Sequence, residues 1–400
     1  MPKAVVILPT SSYRATDFLQ AAESLGIDLV VASETPPPSD MGDRYLQIDC
    51  SDPETAAEAI AELGENVPID GVVAADDQGV TVAAHANAIL GLKGNPPDAA
   101  ATTRDKLHMR NRLAESEIDQ PRFTALAPGD RAEVVAAKVG FPLVLKPRDR
   151  SGSQGVIRVD GPEDVQPNAD RIRAIVGEDA TLLAESFAPG DEIAVEGLIT
   201  DGELEVLAVF DKPDTSPGPF FPETLFITPS RLSGTTLVEA ERMAAAAVGA
   251  LGLTSGPVHI ELRVDDGRAR VIEVAARSIG GLCSRSLSFG LMGTTLESLI
   301  LRNAIGSGRK SLRRQPVASG VLMIPTPETG TLAGVVGQEE TLAIGGITGI
   351  DFTIRPGGRV VAPPEGDRYL GFVYARADTP DEVEAALRKA SFNLQVQLDG

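Results

Sequence analysis

A chain of 400 residues is too long for one ordinary hydrophobic core and predicts two to three domains. Its formal charge of −21 argues against nucleic acid or an anionic membrane as the main partner, so an anionic ligand must be met by placed Lys, Arg or backbone N–H groups. His85, His108 and His259 stand too far apart for an HExxH or three-His metal site, and Cys50 and Cys283 form neither a metal cluster nor a disulfide framework.

The chain opens with alternating strand and helix signals. Residues 4–8 read as a strand, 18–25 as a helix stopped by Gly26, and 29–32 and 45–48 as further strands; a helix over 54–63 and a strand over 71–75 follow. This alternation predicts a parallel sheet with crossover helices. The first strand-to-helix turn, Pro9-Thr10-Ser11-Ser12-Tyr13-Arg14, contains no glycine, which argues against the GxGxxG fingerprint and a nicotinamide dehydrogenase. Asp76 and Asp77 fall just beyond the C-terminal end of a strand, where open parallel sheets present ligand-facing groups; the same position suits a helix N-cap before 79–90.

Prolines and small residues over 95–101 predict a boundary, and a helix over 103–115 carries Lys106. A second helix, 131–139, ends at Gly140. Residues 141–147 form a strand ending in Lys146, followed by Ser151-Gly152-Ser153-Gln154-Gly155 and a strand over 156–159. Such a loop lets backbone N–H groups approach an anion beside a lysine charge, or it merely turns the chain. Strands over 182–185, 193–199 and 204–210 come next. The loop 211–223 contains Lys212, prolines and two phenylalanines and suits either a lid or a surface excursion. An Ala-rich helix, 237–251, leads to residues 257–281.

That segment reads as a β-hairpin around Asp265, Asp266 and Gly267, with Glu261 on one arm and Glu273 on the other. A two-residue loop pairs 261 with 272 and sends Glu273 to the opposite face. A three-residue loop pairs 259 with 273 and 261 with 271; His259, Glu261 and Glu273 then share one face, and Val258, Ile260, Leu262, Ile272 and Val274 the other. The segregation of apolar from ionisable residues favours the odd-numbered loop. Two close carboxylates then repel unless a hard cation lies between them, although an exposed acidic hairpin remains the plain alternative. Beyond it, a helix over 295–304, a basic linker over 309–314, short β runs at 318–324, 349–354 and 370–375, and a helix over 380–390 predict a separate C-terminal α+β domain.

In order along the chain, Lys106, Lys146 with its small-residue loop, Glu185 to Ala188, Glu192, and the HxE…ExxxR run from His259 to Arg277 resemble the ATP-grasp superfamily. The loop FDKPDTSPGPFFPET, the segment ITPSRL and the small C-terminal domain resemble its L-amino-acid ligase group, the carboxylate–amine ligases. The resemblance implies an N-terminal parallel-sheet domain (1–95), a two-lobed ATP-grasp domain (96–308, small lobe about 120–190) and a C-terminal α+β domain (309–400). It implies ATP and Mg²⁺ or Mn²⁺. Lys106, Lys146 and the loop with Ser151, Gly152, Ser153 and Gly155 would contact phosphates, and Glu185, Phe187 and Ala188 would hold adenine beside His259. Glu192 would bind ribose, Glu261 and Glu273 the metal, and Arg277, with Lys146, would act in catalysis. Ala275 stands where the family's third metal ligand, an asparagine, is usual. Substrate contacts fall to Asp76, Glu223, Arg277, Gly280 and Gly281, with Glu223 an amine contact or a surface glutamate.

The function so implied is an ATP-dependent ligase that joins an amino acid carboxylate to an amine through an acyl phosphate. A bicarbonate-using carboxylating enzyme and a catalytically impaired nucleotide sensor are the alternatives. Small-molecule partners, no nucleic acid or membrane, a cytoplasmic location and a homodimer complete the expectations.

Overall fold

A computed structural model describes all residues except 11, 38–40, 215–217, 308–312 and 400, together with the side chain of residue 132. The predicted basic linker therefore lies mostly outside the described residues.

The N-terminal sheet is parallel, in the order Tyr45–Gln47, Asp28–Ser33, Lys3–Ile7, Gly71–Ala74. Gly26 ends the helix Ala15–Leu25 at φ 64°, a left-handed position that suits glycine.

The single helix expected over 103–115 is two, Pro97–Arg104 and Lys106–Glu115, and most of the expected boundary at 95–101 is helical. The reason is Asp105. Its backbone is extended, and its carboxylate accepts from the N–H groups of Leu107 (2.9 Å) and His108 (3.2 Å), founding a new helix N-terminus at Lys106.

A four-stranded antiparallel sheet follows in the order Phe123–Leu126, Leu182–Ser186, Leu143–Lys146, Ile157–Val159. The helix Val165–Val176 covers it. That helix was not anticipated, although Val165, Ala169, Ile172 and Val176 recur at helical spacing, and the first three are fully buried.

The largest sheet has eight strands: Arg268–Ala275, Ser255–Asp265, Asp191–Thr200, Glu203–Lys212, Leu225–Thr228, Ala318–Met323, Gly371–Ala377 and Ile347–Phe352. The C-terminal strands thus continue the central sheet, while Arg359–Val360, Gly330–Val336 and Gln395–Leu398 make a small sheet beside the helix Pro380–Asn393. Arg285, held by Asp17 at 2.9 Å and Asp351 at 2.7 Å, ties the N-terminal and C-terminal segments together.

The hairpin corrects the predicted register. Asp265 pairs with Arg268, so the loop is the two residues Asp266 and Gly267, both at positive φ (48° and 74°) as a tight primed turn requires. With that loop alone Glu261 would face Ile272. Instead the ladder shifts between Leu262↔Val271 and Glu261↔Glu273, and Ile272 is the extra residue of a β-bulge. His259 accordingly pairs with Ala275 rather than with residue 273. Glu261 and Glu273 meet on one face by a bulge, not by loop length. The apolar face is Val258, Ile260, Leu262, Val271 and Val274 against the helix Gly234–Leu251, and Ile272 turns toward the cavity. Each such buried aliphatic side chain contributes about 1.5–3 kcal/mol.

Candidate functional site

The helices Pro97–Arg104 and Lys106–Glu115, the four-stranded antiparallel sheet with its small-residue loop, and the central sheet line a cavity of about 540 Å³. Of the residues expected to bind or react, Lys106, Lys146, Ser151, Gly152, Ser153, Glu185, Phe187, Ala188, Glu192, His259, Glu261, Glu273, Arg277, Asp76, Glu223, Gly280 and Gly281 all line it. Gly155 does not; its N–H donates to the Pro364 carbonyl at 2.7 Å.

At one wall Glu185 is 3% exposed and bridges two cations, Arg110 Nε at 2.5 Å and Lys146 Nζ at 2.7 Å. Burial alone would raise its pKa, but Arg110 and Lys146 pull it down to about 2. Lys146 titrates below an ordinary lysine because burial, with Arg110 and Lys106 nearby, outweighs the attraction of Glu185. The Glu185 side chain therefore anchors Lys146 from inside the protein.

Arg110 was missed by the sequence reading. It lies four residues after Lys106 on the same helix face, and its Nη1 and Nη2 donate to the carbonyls of Val271 (3.1 Å) and Ile272 (2.6 Å). The bulge that brings Glu273 opposite Glu261 is thus fixed by a buried guanidinium. Lys106 Nζ lies 3.1 Å from Glu273 Oε1 and donates to the Arg150 carbonyl at 2.5 Å, beside the small-residue loop. In that loop Gly152, Ser153 and Gly155 have positive φ (61°, 57° and 70°). Gln154 donates its side-chain amide to the Glu365 carbonyl at 2.9 Å, and Arg171 pairs with the Glu365 carboxylate at 2.6 Å, so the C-terminal segment straps this loop.

Phe187 stacks on Phe221 with centroids 6.4 Å apart and lies under the Arg158 guanidinium at 4.6 Å. Glu192 occupies the middle of a cross-strand row, paired in register with both Lys212 and Arg263 and ion-paired to both.

Lys212 is the second residue missed. Rather than lying in the loop it ends the strand Glu203–Lys212, and its ammonium contacts Glu192, Glu261 at 3.2 Å and Glu223 at 3.4 Å. The signal was the strand pattern running through Phe210 to Lys212. Burial opposes its charge, but these carboxylates hold its pKa well above the usual value. Glu261, which burial would raise, is held well below its ordinary value by Lys212 and His259. Glu223 goes the other way: burial raises it, and its Oε2 accepts from Tyr369 Oη at 2.6 Å. It is a half-buried cavity group, not a surface glutamate.

His259 Nδ1 sits 3.1 Å from Glu196, itself fully buried. Burial favours the neutral ring, but Glu196 and Glu261 override it and raise the pKa to about 9. Arg277 donates from Nε to Asp77 at 2.9 Å, and Arg104 lies 3.2 Å from the same carboxylate; burial would raise Asp77, yet the two guanidinium groups hold it far below the usual range. Asp76 makes no side-chain cap, so the helix-cap alternative does not apply to it, and its Oδ2 is buried without a hydrogen-bond partner among the described residues. Gly281, at φ 58°, leaves room for Phe372, whose Cζ would lie 2.6 Å from an added Cβ.

Residues 139–286 match the family described as an ATP-grasp domain, 19–94 an ATP-grasp N-terminal domain, and 322–399 an L-amino acid ligase C-terminal domain. The chain superposes on an L-amino acid ligase from Bacillus licheniformis with a TM-score of 0.83 at 26% identity, covering 100% of this chain and 99% of that one. It belongs to the L-amino-acid-ligase-like group of ATP-grasp proteins.

An alanine–anticapsin ligase of Bacillus subtilis is 30% identical over 57% of this chain, which spans about half (52%) of that ligase's length. An uncharacterized protein of Sinorhizobium fredii is 22% identical over 98% of this chain and 82% of its own. A carboxyaminoimidazole ribonucleotide synthase from Aspergillus clavatus, solved with ATP, shares the fold at 20% identity and a TM-score of 0.77, over 98% of this chain and 99% of that one.

This ATP-grasp site suits a nucleotide by its cations and its small-residue loop. For a hard divalent ion it offers two opposed carboxylates. Ala275 adds no ligand, and among the described residues no three His, Cys, Asp or Glu side chains cluster as a metal site. Among the same residues no helix is long and apolar enough to cross a membrane.

Proposed function

We propose that this protein is an ATP-dependent carboxylate–amine ligase that activates an amino acid and couples it to an amine, releasing ADP and phosphate. The observation that carries the reading is the direct pairing of Glu261 with Glu273 on the cavity face, beside Lys106.

In this reading Glu261 and Glu273 hold Mg²⁺ or Mn²⁺, with phosphate oxygens and water in place of a ligand at Ala275. The ion supplies charge neutralisation between phosphate groups. Lys106 and Lys146 bind the phosphates, covered by the backbone N–H groups of Ser151, Gly152 and Ser153, which the fold leaves without a partner among the described residues. Phe187 and Ala188 border adenine, and Glu192 receives the ribose hydroxyls. Arg277, oriented by Asp77, neutralises charge as the donor carboxylate oxygen bonds to the γ-phosphorus and ADP departs. The amine nitrogen then bonds to the activated carbonyl carbon, phosphate leaves, and the amine proton needs an acceptor. Glu223 serves there because burial makes its carboxylate more basic than an ordinary glutamate. Gly280 and Gly281 border the substrates. Buried free thiols at Cys50 and Cys283 support a reducing, cytoplasmic setting.

The test is ADP release by the pure protein with ATP, Mg²⁺ and a pool of amino acids. Glu261→Gln and Glu273→Gln should each lower turnover at least about a hundredfold. A sensor without catalysis would show no turnover in any form, only weaker Mg²⁺-dependent nucleotide binding in the variants. Absence of ADP release with every pair tried would sink the ligase reading.

A further inference from the structure

Arg14 closes the glycine-free turn after the first strand and is fully buried, outside the cavity lining. Its Nη2 pairs with Glu297, on the helix Leu296–Ala304, at 2.5 Å, and its guanidinium lies 5.2 Å from the Phe18 ring centre. Its Nε is buried without a hydrogen-bond partner among the described residues. A buried ion pair stabilises a fold no better than well-packed apolar groups of the same volume, and an orphaned N–H adds a cost. Fold stability alone therefore does not account for a guanidinium at this place.

Its contacts lead to Arg277. That side chain has two anchors: its Nε donates to Asp77 and its Nη1 to the Ser278 carbonyl, each at 2.9 Å. Arg14 Nη1 bonds beside both, to the Ala75 carbonyl two residues before Asp77 at 3.2 Å and to Ser278 Oγ at 2.5 Å. The next peptide is held independently, because Ile279 N–H donates to the two carboxylate oxygens of the fully buried Glu196 at 3.1 and 3.0 Å. Ser278 and Ile279 are each 1% exposed, so water cannot replace these bonds. Arg14 thus ties the strand end that carries Asp77 to the segment that carries Arg277.

Resting on the ligase reading above, in which Arg277 neutralises charge during phosphoryl transfer, we propose that Arg14 is a positioning residue for Arg277. It touches no substrate. It fixes residues 277–278 against residues 75–77 and so keeps the Arg277 guanidinium where the phosphoryl charge develops. Drift of about 1 Å there costs up to about a hundredfold in rate, while nucleotide binding by Lys106 and Lys146 is left in place. The turn that lacks a glycine fingerprint serves the reaction from behind the site.

The experiment is ADP release by the full chain at saturating ATP, Mg²⁺ and amino acids, with the melting temperature of each variant recorded. Ser278→Ala removes the Arg14 contact without removing a charge and should lower kcat about tenfold, with the KM for ATP within about twofold. Arg14→Lys should lower kcat by about tenfold to a hundredfold, because one ammonium cannot span Ala75, Ser278 and Glu297. In an Arg277→Lys background, followed by single-turnover ADP release, the same two changes should each alter the rate less than about twofold, as a residue acting through Arg277 requires. A lower melting temperature with kcat unchanged, or equal losses in both backgrounds, overturns the proposal. If Arg14→Lys does not fold, Ser278→Ala carries the same comparison. If the wild type releases no ADP with any pair, the ligase reading has failed, and hydrogen exchange decides the grip alone. Faster exchange in Ser278→Ala confined to residues 277–280 supports it; exchange that is unchanged there, or raised throughout the chain, overturns it.

Discussion

Arg110→Met removes the guanidinium that joins the nucleotide wall to the hairpin bulge. The side chain is fully buried and holds Glu185 at 2.5 Å, while its other nitrogens cap the carbonyls of Val271 and Ile272. Arg110 and Lys146, working against burial, lower the Glu185 pKa from 4.5 to about 2, which corresponds to about 3 kcal/mol of preference for the charged form. Because the folded value is depressed, this stability is fully present above the unfolded pKa near 4.5 and is lost as pH falls toward 2. Breaking one side of a buried ion pair and orphaning two carbonyls should cost about 3–5 kcal/mol at pH 7. Urea unfolding followed by circular dichroism reads this as a lower midpoint at unchanged slope. The variant should also lose less stability than the wild type between pH 5 and 3, since its Glu185 titrates nearer to the unfolded value. An unchanged midpoint, or identical acid limbs, would refute the reasoning.

His259 supplies the alkaline counterpart. Its pKa is raised from 6.5 to about 9, so its contribution is complete below 6.5 and disappears as pH rises through 9; His259→Gln should flatten the fall in melting temperature between pH 6.5 and 9.5. Equal slopes in the two proteins would count against an imidazolium at that position. The strap across the small-residue loop is weaker, because Arg171 and Glu365 are about 40% exposed. Arg171→Ala should raise the KM for ATP about two- to fivefold with little change in kcat, and a KM that stays put would show that the strap does not hold the loop.

The N-terminal sheet was legible because crossover units write period and punctuation plainly: apolar runs, then a helical repeat, then Gly26. That Glu261 and Glu273 share a face was legible, since segregating the aliphatic from the ionisable residues favours it, but the predicted pairs were 259 with 273 and 261 with 271, not Glu261 with Glu273. Their direct pairing was not legible, because Asp266 and Gly267 are compatible with loops of either length and a bulge leaves no residue signature at Ile272. The contacts of Arg110 and Lys212, unlike the strand that carries Lys212, were invisible for a related reason. Their roles depend on carbonyls and carboxylates that register and tertiary folding bring to them. Asp105 could have been read, as an N-cap inside an apparently continuous helix. The continuation of the central sheet into the C-terminal strands could not, because strand pairing across a hundred residues has no local trace.

The two carboxylates expected to hold a metal each already face an ammonium, Glu273 with Lys106 at 3.1 Å and Glu261 with Lys212 at 3.2 Å. This arrangement relieves the repulsion of two glutamates placed side by side, and it sets a condition on ligand binding. A divalent ion held by both carboxylates competes with both ammonium groups. Lys106 gives up Glu273 at least cost when another anion receives it, and the phosphate chain is that anion. Metal and nucleotide should therefore bind with positive coupling: the metal releases Lys106 for phosphate, and phosphate screens the metal from Lys106. Titrating ATP by calorimetry with and without Mg²⁺ measures this coupling, which should be at least tenfold in affinity, about 1.4 kcal/mol. The Glu273→Gln variant separates the lysine exchange from simple metal–phosphate attraction. With its carboxylate partner neutralised, Lys106 keeps only the Arg150 carbonyl, so ATP should bind more tightly than to the wild type when Mg²⁺ is absent and gain less when it is added. An unaltered Mg²⁺-free affinity would mean that Lys106 is not restrained by Glu273 and that the coupling has another origin.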